Sequence, residues 1–355
     1  MTTLRYGIIG SGMMGLEHIE NLSHTEGVEV TAIADPDPGS REFAGALVPD
    51  ALHYTNHEAL IADNVCDAVV VASPNFTHVD VLRDLLATDL HVLVEKPLCT
   101  TVDDCYTILE LAEGRNAITW VGLEYRYMPP IARLIDEVAA GAVGVPKMIS
   151  IREHRFPFLK KVGDWNRFSE NTGGTLVEKC CHFFDLMVQI MPGRPVRVMA
   201  SGAQDVNHLD EVYDGRVPDI LDNAFVIVDF DDGARGLLDL CMFAEATHNQ
   251  EELSVVGPLG KVEALIPEDI VRIGRRGKHW IGGVNVHPVT NDEIPYEGHH
   301  SGSSWVEHQK FRDAVLGVAP AEVSLFDGLL SVAIGAAAHR SIDEGRPVEL
   351  SEFLR

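Results

Sequence analysis

The chain has 355 residues, 46% hydrophobic and 23% charged, which is enough for two cores of ordinary globular composition. Its 54 acidic residues against 28 lysines and arginines give a formal charge of −26, which excludes the basic face that nucleic acid needs. The sequence contains no run of 18 apolar residues and no signal-peptide pattern, so we expect a cytoplasmic protein without a membrane span. Six cysteines lack zinc spacing, so we expect reduced thiols and no metal site.

A glycine-rich turn follows the first predicted strand, Leu4–Ile9. It reads Gly10-Ser11-Gly12-Met13-Met14-Gly15 and opens a helix that we expect to end near Leu22. Gly10 permits the tight turn, Gly12 lets the backbone approach a pyrophosphate, and Gly15 lets the helix pack on the strand. The N-terminus of the helix adds free N–H groups for the phosphates.

An acidic residue stands where a dinucleotide ribose would lie. Asp35 ends the next predicted strand, Val28–Ala34, twenty residues after Gly15. A carboxylate here accepts hydrogen bonds from the ribose hydroxyls and repels a 2′-phosphate. Arg41 is the opposing feature, because an arginine at this distance can hold a 2′-phosphate. The combination predicts a bound dinucleotide, with NAD preferred over NADP.

Strands and helices continue to alternate up to residue 124. Further strands are predicted at Asp67–Ala72, His91–Val94 and Ile118–Leu123, with a helix at 77–88 after the first of them. Each strand is followed by polar residues: Ser73-Pro74-Asn75, Glu95-Lys96-Pro97 and Glu124-Tyr125-Arg126-Tyr127. This alternation predicts a doubly wound parallel sheet of the Rossmann type, which binds ligands at the carboxyl ends of its strands. Lys96 at that edge can stabilise a substrate oxygen, or it is a surface lysine paired with Glu95.

From Pro146 onward, strand-like segments follow one another directly. They are Lys147–Glu153, Val196–Ala203, Ala224–Phe230, Ala234–Phe243, Glu251–Val256, Lys261–Ile266 and Ile270–Gly274, and two helices are predicted at Ser303–Leu316 and Leu325–Glu344. We predict a Rossmann domain over 1–124 and an α+β domain with a largely antiparallel open sheet over 125–355. The segment 224–228 is apolar on both faces, so we expect another subunit to cover this sheet, giving a homo-oligomer.

The segment Gly173–Met187 interrupts these strands and reads GGTLVEKCCHFFDLM. Its apolar spacing predicts a single helix from Thr175. Glu178, His182 and Asp185 then stand at i, i+4 and i+7 on one face, where two carboxylates and an imidazole can form an acid–base relay. The alternative is a polar helix face exposed to water.

At this point the chain resembles, over essentially its whole length, the Gfo/Idh/MocA family of glucose–fructose and inositol dehydrogenase-like oxidoreductases. The resemblance rests on the glycine turn, on Ser73-Pro74-Asn75 with His78, on Glu95-Lys96-Pro97, on 125–127, and on Gly173-Gly174 followed by His182 and Asp185. It implies NAD(P)-dependent oxidation or reduction of a ring carbon of a sugar or cyclitol. It also implies catalysis by Lys96 and His182, with Glu178 where family members commonly carry aspartate.

We therefore predict an NAD-dependent oxidoreductase in which His182 takes the hydroxyl proton, Lys96 stabilises the oxygen and Glu178 adjusts one of them. The predicted NAD-binding residues are Gly10, Ser11, Gly12, Met13, Met14, Gly15, Asp35, Ser73, Asn75, His78, Glu95 and Lys96. One alternative is a glycoside hydrolase that oxidises a sugar, eliminates the aglycone, adds water and returns the hydride without net use of NAD. The other is a non-enzymatic NAD-binding sensor.

Positive charges cluster before and within the segment 173–187. Lys160, Lys161 and Arg167 flank Trp165, while Arg155 and Lys179 lie nearby in the sequence. Together they predict a pocket for an anionic sugar, such as a sulfoquinovose-type glycoside, although a solvated basic loop would show the same pattern. The predicted substrate-binding residues are Tyr127, Arg155, Lys160, Lys161, Trp165, Arg167, Lys179 and Asp185.

Overall fold

A computed structural model of the chain describes residues 3–277 and 283–355. Its first sheet contains β1 (Leu4–Ile9), β2 (Val28–Ala34), β3 (Leu52–Tyr54), β4 (Ala68–Val71), β5 (His91–Glu95) and β6 (Thr119–Gly122). All six strands are parallel, in the order β3-β2-β1-β4-β5-β6. Every residue of β4 is buried, as expected for a parallel strand that is covered on both faces. The strand order reverses at β1, and the carboxyl ends on either side of this point form a crevice.

The helices fall into three groups along the chain. Beside the parallel sheet lie α1 (Met13–Ser23), α2 (Pro38–Leu47), α3 (His57–Asp63), α4 (His78–Leu86) and α5 (Val102–Ala112). The middle group is α6 (Pro129–Ala139), α7 (Ser169–Thr172), α8 (Thr175–Glu178) and α9 (Cys181–Ile190), and the last is α10 (Ser303–Val315) and α11 (Leu325–Glu344). No helix in the described part of the chain is long and apolar enough to cross a membrane.

The second sheet has nine strands and is antiparallel except where β7 meets β10. Its strands are β7 (Met148–His154), β8 (Pro195–Ala203), β9 (Asn223–Phe230), β10 (Arg235–Cys241), β11 (Glu251–Gly257), β12 (Gly260–Ile266), β13 (Ile270–Arg275), β14 (Val284–Pro288) and β15 (Val348–Glu349). Burial alternates residue by residue along β7, β10 and β11, so one face packs on a core and the other is more open. The predicted combination of a Rossmann sheet and a largely antiparallel open sheet is confirmed.

The predicted single helix from Thr175 is wrong, because the structure divides it into α8 and α9. The interruption falls at Lys179, whose ammonium is buried 3.0 Å from Glu153 Oε1 and 2.7 Å from the Tyr125 hydroxyl. An unpaired buried ammonium would cost far more than the roughly 1 kcal/mol of one helical hydrogen bond, so the ion pair prevails over helical continuity. Glu178, His182 and Asp185 therefore do not share one helix face.

The helix α11 packs against both hydrophobic cores. It begins at a capping box formed by Ser324 and Asp327 and ends at Gly345, which is in the left-handed region. Leu329, Val332 and Ala333 belong to the core of the parallel sheet. Leu330, Ile334, Ala337 and Ala338 belong to the core of the second sheet. Its burial on two sides explains why this segment is nearly all apolar.

Candidate active site

A cleft of about 1240 Å³ opens at the carboxyl ends of β1, β2, β4 and β5. It is lined by the glycine turn, by Asp35, by the loop after β4 and by Glu95 and Lys96. A segment before α7 borders the same cleft and contributes Lys160, Lys161 and Trp165. Ligands of open parallel sheets bind at this position, so the cleft is the candidate site for the dinucleotide and the substrate.

The glycine turn fits a pyrophosphate because its backbone is packed tightly and is bare on the cleft side. A Cβ on Gly15 would lie 2.1 Å from the Gly10 carbonyl oxygen, and one on Gly10 would lie 2.5 Å from the Ser73 nitrogen. A Cβ on Gly12 would meet nothing within 4 Å. Gly12 precedes α1, and no side chain in the described part of the chain caps the first N–H groups of that helix. These N–H groups remain available for phosphate oxygens.

Asp35 is fixed by the backbone around it. The Ser11 N–H donates to Asp35 Oδ2 at 2.7 Å, and the Asp37 N–H donates to Oδ1 at 2.8 Å. The Ser11 hydroxyl also donates to Oδ2, at 3.2 Å, so Oδ1 is the oxygen that keeps a lone pair for a ribose hydroxyl. Arg41 donates to the carbonyl oxygen of Asp35 and therefore lies close to the same ribose position.

We expect the protein to bind NAD more than tenfold more tightly than NADP, a difference of over about 1.4 kcal/mol. The fixed Asp35 carboxylate would repel a 2′-phosphate. Asp35→Ala should therefore reduce the difference between the dissociation constants of NAD and NADP. Titration of each nucleotide into both proteins measures the four dissociation constants. Equal constants for NAD and NADP in the wild type would contradict the role of Asp35.

The loop after β4 is held in place by a buried histidine. His78 Nδ1 lies 2.9 Å from the Pro97 carbonyl oxygen, and Nε2 lies 3.1 Å from the Ser73 carbonyl oxygen. Burial lowers the pKa of His78, and its two contacts tie the loops after β4 and β5 together. It is therefore a support of the predicted cofactor site rather than part of the cleft lining. Asn75 does line the cleft, and its buried amide nitrogen has no partner among the described residues.

Lys96 joins the cleft to the second half of the molecule. Its Nζ donates to the Glu178 carbonyl oxygen at 3.3 Å, whereas Glu95 Oε1 is bound by His18 Nε2 at 2.9 Å. The alternative of a surface ion pair with Glu95 is thus not what the structure shows. Burial lowers the pKa of Lys96, but nearby Cys181 and the carboxylates of Glu95 and Glu178 together hold it above its ordinary value. Lys96 is therefore a cation at neutral pH.

His182 is almost fully buried and its ring stacks on Tyr125, with 4.0 Å between ring centroids. Burial, followed by the charges of Lys96 and Lys179, lowers the pKa of His182 well below its ordinary value. The imidazole is neutral at neutral pH and can accept a proton. Glu178 turns away from it, and its Oε1 lies 3.6 Å from Lys161 Nζ.

The carboxylate nearest to His182 is Glu124, which the sequence analysis did not select. Glu124 Oε1 lies 3.7 Å from His182 Nε2. Glu124 follows β6 after one residue, Leu123, so it stands at the same sheet edge as Lys96. The signal that singled out Lys96, a polar residue directly after a buried strand, was present here as well.

Most of the predicted substrate-binding cations are already paired. Arg155 and Lys179 both contact Glu153 Oε1, at 3.3 and 3.0 Å. Arg167 is buried and donates to Glu211 at 3.0 Å. Lys161 Nζ lies 4.6 Å from the centre of the Trp165 ring, and both side chains line the cleft with Lys160. Among the described residues, Lys160 has no carboxylate within 4.0 Å.

Two further predicted substrate residues lie in the interior. Asp185 accepts two hydrogen bonds from Arg126, one of them 2.7 Å long, and both side chains are buried. Tyr127 is buried beside Trp120, and its hydroxyl has no partner among the described residues. Neither is part of the cleft lining. The pair formed by Arg126 and Asp185 joins the segment after β6 to α9.

The parallel sheet, the bare glycine turn and the fixed ribose carboxylate define an NAD-binding protein of the Rossmann class. The comparison with known families makes this specific. Residues 4–123 match the Gfo/Idh/MocA model described as "Oxidoreductase family, NAD-binding Rossmann fold", and residues 135–350 match the "C-terminal alpha/beta domain" of the same family. The chain belongs to the Gfo/Idh/MocA oxidoreductase family, and NAD is its cofactor.

Relatives match over nearly the whole chain. The chain is 28% identical over 359 residues to myo-inositol 2-dehydrogenase of Thermotoga maritima, with 99% of this chain and 100% of the relative covered. An oxidoreductase from Agrobacterium radiobacter, solved with NAD+, L-tartaric acid and magnesium, superposes with a TM-score of 0.84 at 18% identity over 99% and 100% of the two chains. Levoglucosan dehydrogenase in complex with NADH and levoglucosan gives 0.85 at 18% identity over 98% and 100%. At these identities the solved structures establish the shared fold.

Proposed function

We propose that the protein is an NAD-dependent dehydrogenase that oxidises a secondary ring hydroxyl of a cyclitol or sugar. The observation that carries the proposal is the contact between Lys96, at the edge of the NAD cleft, and the backbone of Glu178, four residues before His182. This contact brings the Lys96 cation to the segment that carries the neutral imidazole of His182, where the parallel sheet joins the second half of the fold. The relatives named as inositol 2-dehydrogenases support the class of substrate.

Bound NAD+ supplies the hydride acceptor. The role of Lys96 is to donate a hydrogen bond to the substrate oxygen and to stabilise negative charge on it as the C–H bond weakens. His182 accepts the hydroxyl proton, which its lowered pKa permits at neutral pH. Because His182 and Glu178 are buried, the substrate reaches them past Lys96 and Lys161, which line the cleft.

The experiment is a panel of cyclitols, free sugars and sugar glycosides incubated with the protein and NAD+. Formation of NADH with a ring ketone as product supports the dehydrogenase. The proposed dehydrogenase function is contradicted if NAD+ binds normally but no polyol in the panel yields NADH.

The second candidate is the glycoside hydrolase that recycles its NAD. The observation in its favour is a surplus of buried carboxyl groups, because elimination and hydration need one more acid–base residue than simple oxidation. Glu124 and Glu178 both have carboxylate oxygens with no partner among the described residues. Hydrolysis of a glycoside over many turnovers with less than one equivalent of NAD would favour this candidate.

We further propose that the substrate carries an anionic group that contacts Lys160 and Lys161. An anionic sugar should be turned over about 10 to 100 times more efficiently than its neutral 6-hydroxyl counterpart, because a charge-assisted hydrogen bond contributes about 1.5–3 kcal/mol. Comparison of kcat/KM for the two sugars measures this. The preference should fall in Lys160→Ala and Lys161→Ala and persist in the control Lys147→Ala, whose ammonium pairs with Asp232. Equal kcat/KM values for the two sugars in the wild type would show that the proposed anion site does not exist.

The exposed face of the second sheet supports the proposal of a homo-oligomer. Phe225 is 59% exposed and Ile227 38%, and Ile227 pairs in register with the half-exposed Met199 on β8. Light scattering should show a dimer or larger assembly, and Ile227→Asp should dissociate it because a buried charge without a partner is costly. The control is Val318→Asp, in an exposed loop residue outside this face. A wild-type monomer would contradict the proposal.

A further inference from the structure

Glu124 lies between two histidines. Its Oε1 is 3.7 Å from His182 Nε2 and 3.9 Å from His300 Nε2. Both of its carboxyl oxygens are buried and have no hydrogen-bond partner among the described residues. A buried carboxyl group without partners is costly in a purely structural role. Both separations are slightly longer than a hydrogen bond. This fits a group that makes its hydrogen bonds only when substrate is bound, since catalytic hydrogen bonds are often long in a free enzyme.

His300 lies between Glu124 and solvent. The side chain of His300 is 19% exposed, and its Nδ1 lies 3.2 Å from Glu17 Oε1. Glu17 also accepts from the His299 N–H at 3.2 Å and lines the cleft. A carboxylate acceptor keeps the proton of a neutral imidazole on Nδ1, so His300 Nε2 presents its lone pair to Glu124.

We propose that Glu124 is a proton-transfer residue that connects His182 with His300, so that the proton taken from the substrate hydroxyl leaves through His300. The proposal rests on the dehydrogenase function given above. The similarity to other proteins does not by itself give Glu124, in the segment after β6, this role.

The proton passes from the substrate to water in three steps. The hydroxyl O–H bond breaks and its proton goes to His182, while the hydride from the same carbon goes to NAD+. His182 then gives its proton to Glu124 Oε1 as the same oxygen gives its own proton to His300 Nε2. Loss of that proton to water restores neutral His300 and protonated Glu124, ready for the next turnover.

The charges around Glu124 favour a protonated carboxyl group at rest. Burial, followed by the negative charges of Glu95 and Glu307, raises the pKa of Glu124 well above its ordinary value, and the Lys96 ammonium opposes this. The titratable and charged groups near it among the described residues include Glu95, Lys96, Tyr125, Cys181, His182, Glu307, His300 and, beyond His300, Glu17. A protonated Glu124 can donate to His300 and accept from His182 at once, as the transfer requires.

Infrared difference spectroscopy of the purified protein tests the connection without any substrate. At neutral pH the spectrum of the wild type minus that of Glu124→Gln should contain the C=O stretch of a protonated Glu124. The bands of other buried acids cancel in this difference, including that of Glu307, whose pKa burial raises to about 8. His300→Gln should shift this band, because it removes the ring nitrogen that accepts from Glu124. His248→Gln, in an exposed histidine of the second half, is the matched control and should leave the band in place. Absence of the band in the wild type, or an unchanged band in His300→Gln, would overturn the proposal.

Kinetics test whether the connection is used. Glu124→Gln and His300→Gln should each lower kcat by at least about tenfold with little change in the substrate KM, because proton departure and not binding is impaired. The double variant should be no slower than the slower single variant, because both changes interrupt one path. If the reductions of kcat in the two single variants multiply in the double variant, the two residues do not share one proton path. A change confined to KM would also contradict the proposal. If the wild type oxidises no polyol, the proposed function fails, while the infrared result still decides the link between Glu124 and His300.

Discussion

Replacing either Lys96 or His182 by alanine should lower turnover by about two to four orders of magnitude. Lys96→Ala removes the cation that stabilises the substrate oxygen, and His182→Ala removes the neutral base. NAD affinity should change little, because the glycine turn and Asp35 hold the opposite end of the cofactor cleft. Steady-state rates on the preferred substrate and a nucleotide titration check both statements.

Matched controls separate this result from a general loss of structure. Lys147→Ala and His248→Ala change the same residue types at exposed positions outside the cleft lining. Both should turn over like the wild type. Near-normal turnover in Lys96→Ala or His182→Ala would remove the replaced residue from the mechanism.

Arg126→Met should destabilise the fold by about 3–5 kcal/mol, the usual cost of breaking a buried ion pair by removing one partner. Arg126 donates to both carboxylate oxygens of buried Asp185 and, at 3.0 Å, to the Glu322 carbonyl oxygen. Methionine fills much of the space but leaves the Asp185 carboxylate buried without its counter-charge. Chemical denaturation monitored by circular dichroism measures the change in the free energy of unfolding.

Two further variants make this prediction specific. Arg133→Met breaks the exposed pair of Arg133 with Glu137 on α6 and should cost no more than about 0.5 kcal/mol. The double variant Arg126→Met with Asp185→Leu should regain much of the lost stability, because apolar side chains often replace a buried ion pair without penalty. A double variant as unstable as Arg126→Met alone would show that charge burial is not the cause.

The strands were predictable because their patterns are local. β1, β2 and α11 begin and end at the predicted residues. Short connections that contain Gly233 and Pro258 join the antiparallel pairs β9–β10 and β11–β12. The glycine turn and Asp35 form a motif within one strand–helix–strand unit, so spacing alone brings them together.

The site was harder to predict because it depends on contacts between distant segments. The helical spacing of Glu178 and His182 is real in the sequence, but Lys179 reaches Glu153 on β7 and interrupts the helix between them. Lys179 and Arg167 have the composition of an anion site, yet each is paired with a carboxylate far away in the sequence, Glu153 and Glu211 respectively. Charge partners of this kind have no signature in a single sequence, because nothing local distinguishes a paired cation from a free one.

The position of α11 bears on how the protein acquires its structure during synthesis. The strands of the parallel sheet are translated first, but the side chains that complete their core on one side, Leu329, Val332 and Ala333, are among the last. The core of the second sheet is likewise incomplete until Ile334 and Ala337 have been synthesised. A nascent chain that stops before residue 325 therefore exposes apolar surface on both halves, and is a client for chaperones rather than a stable fragment. For the same reason the two halves should melt together in a single calorimetric transition.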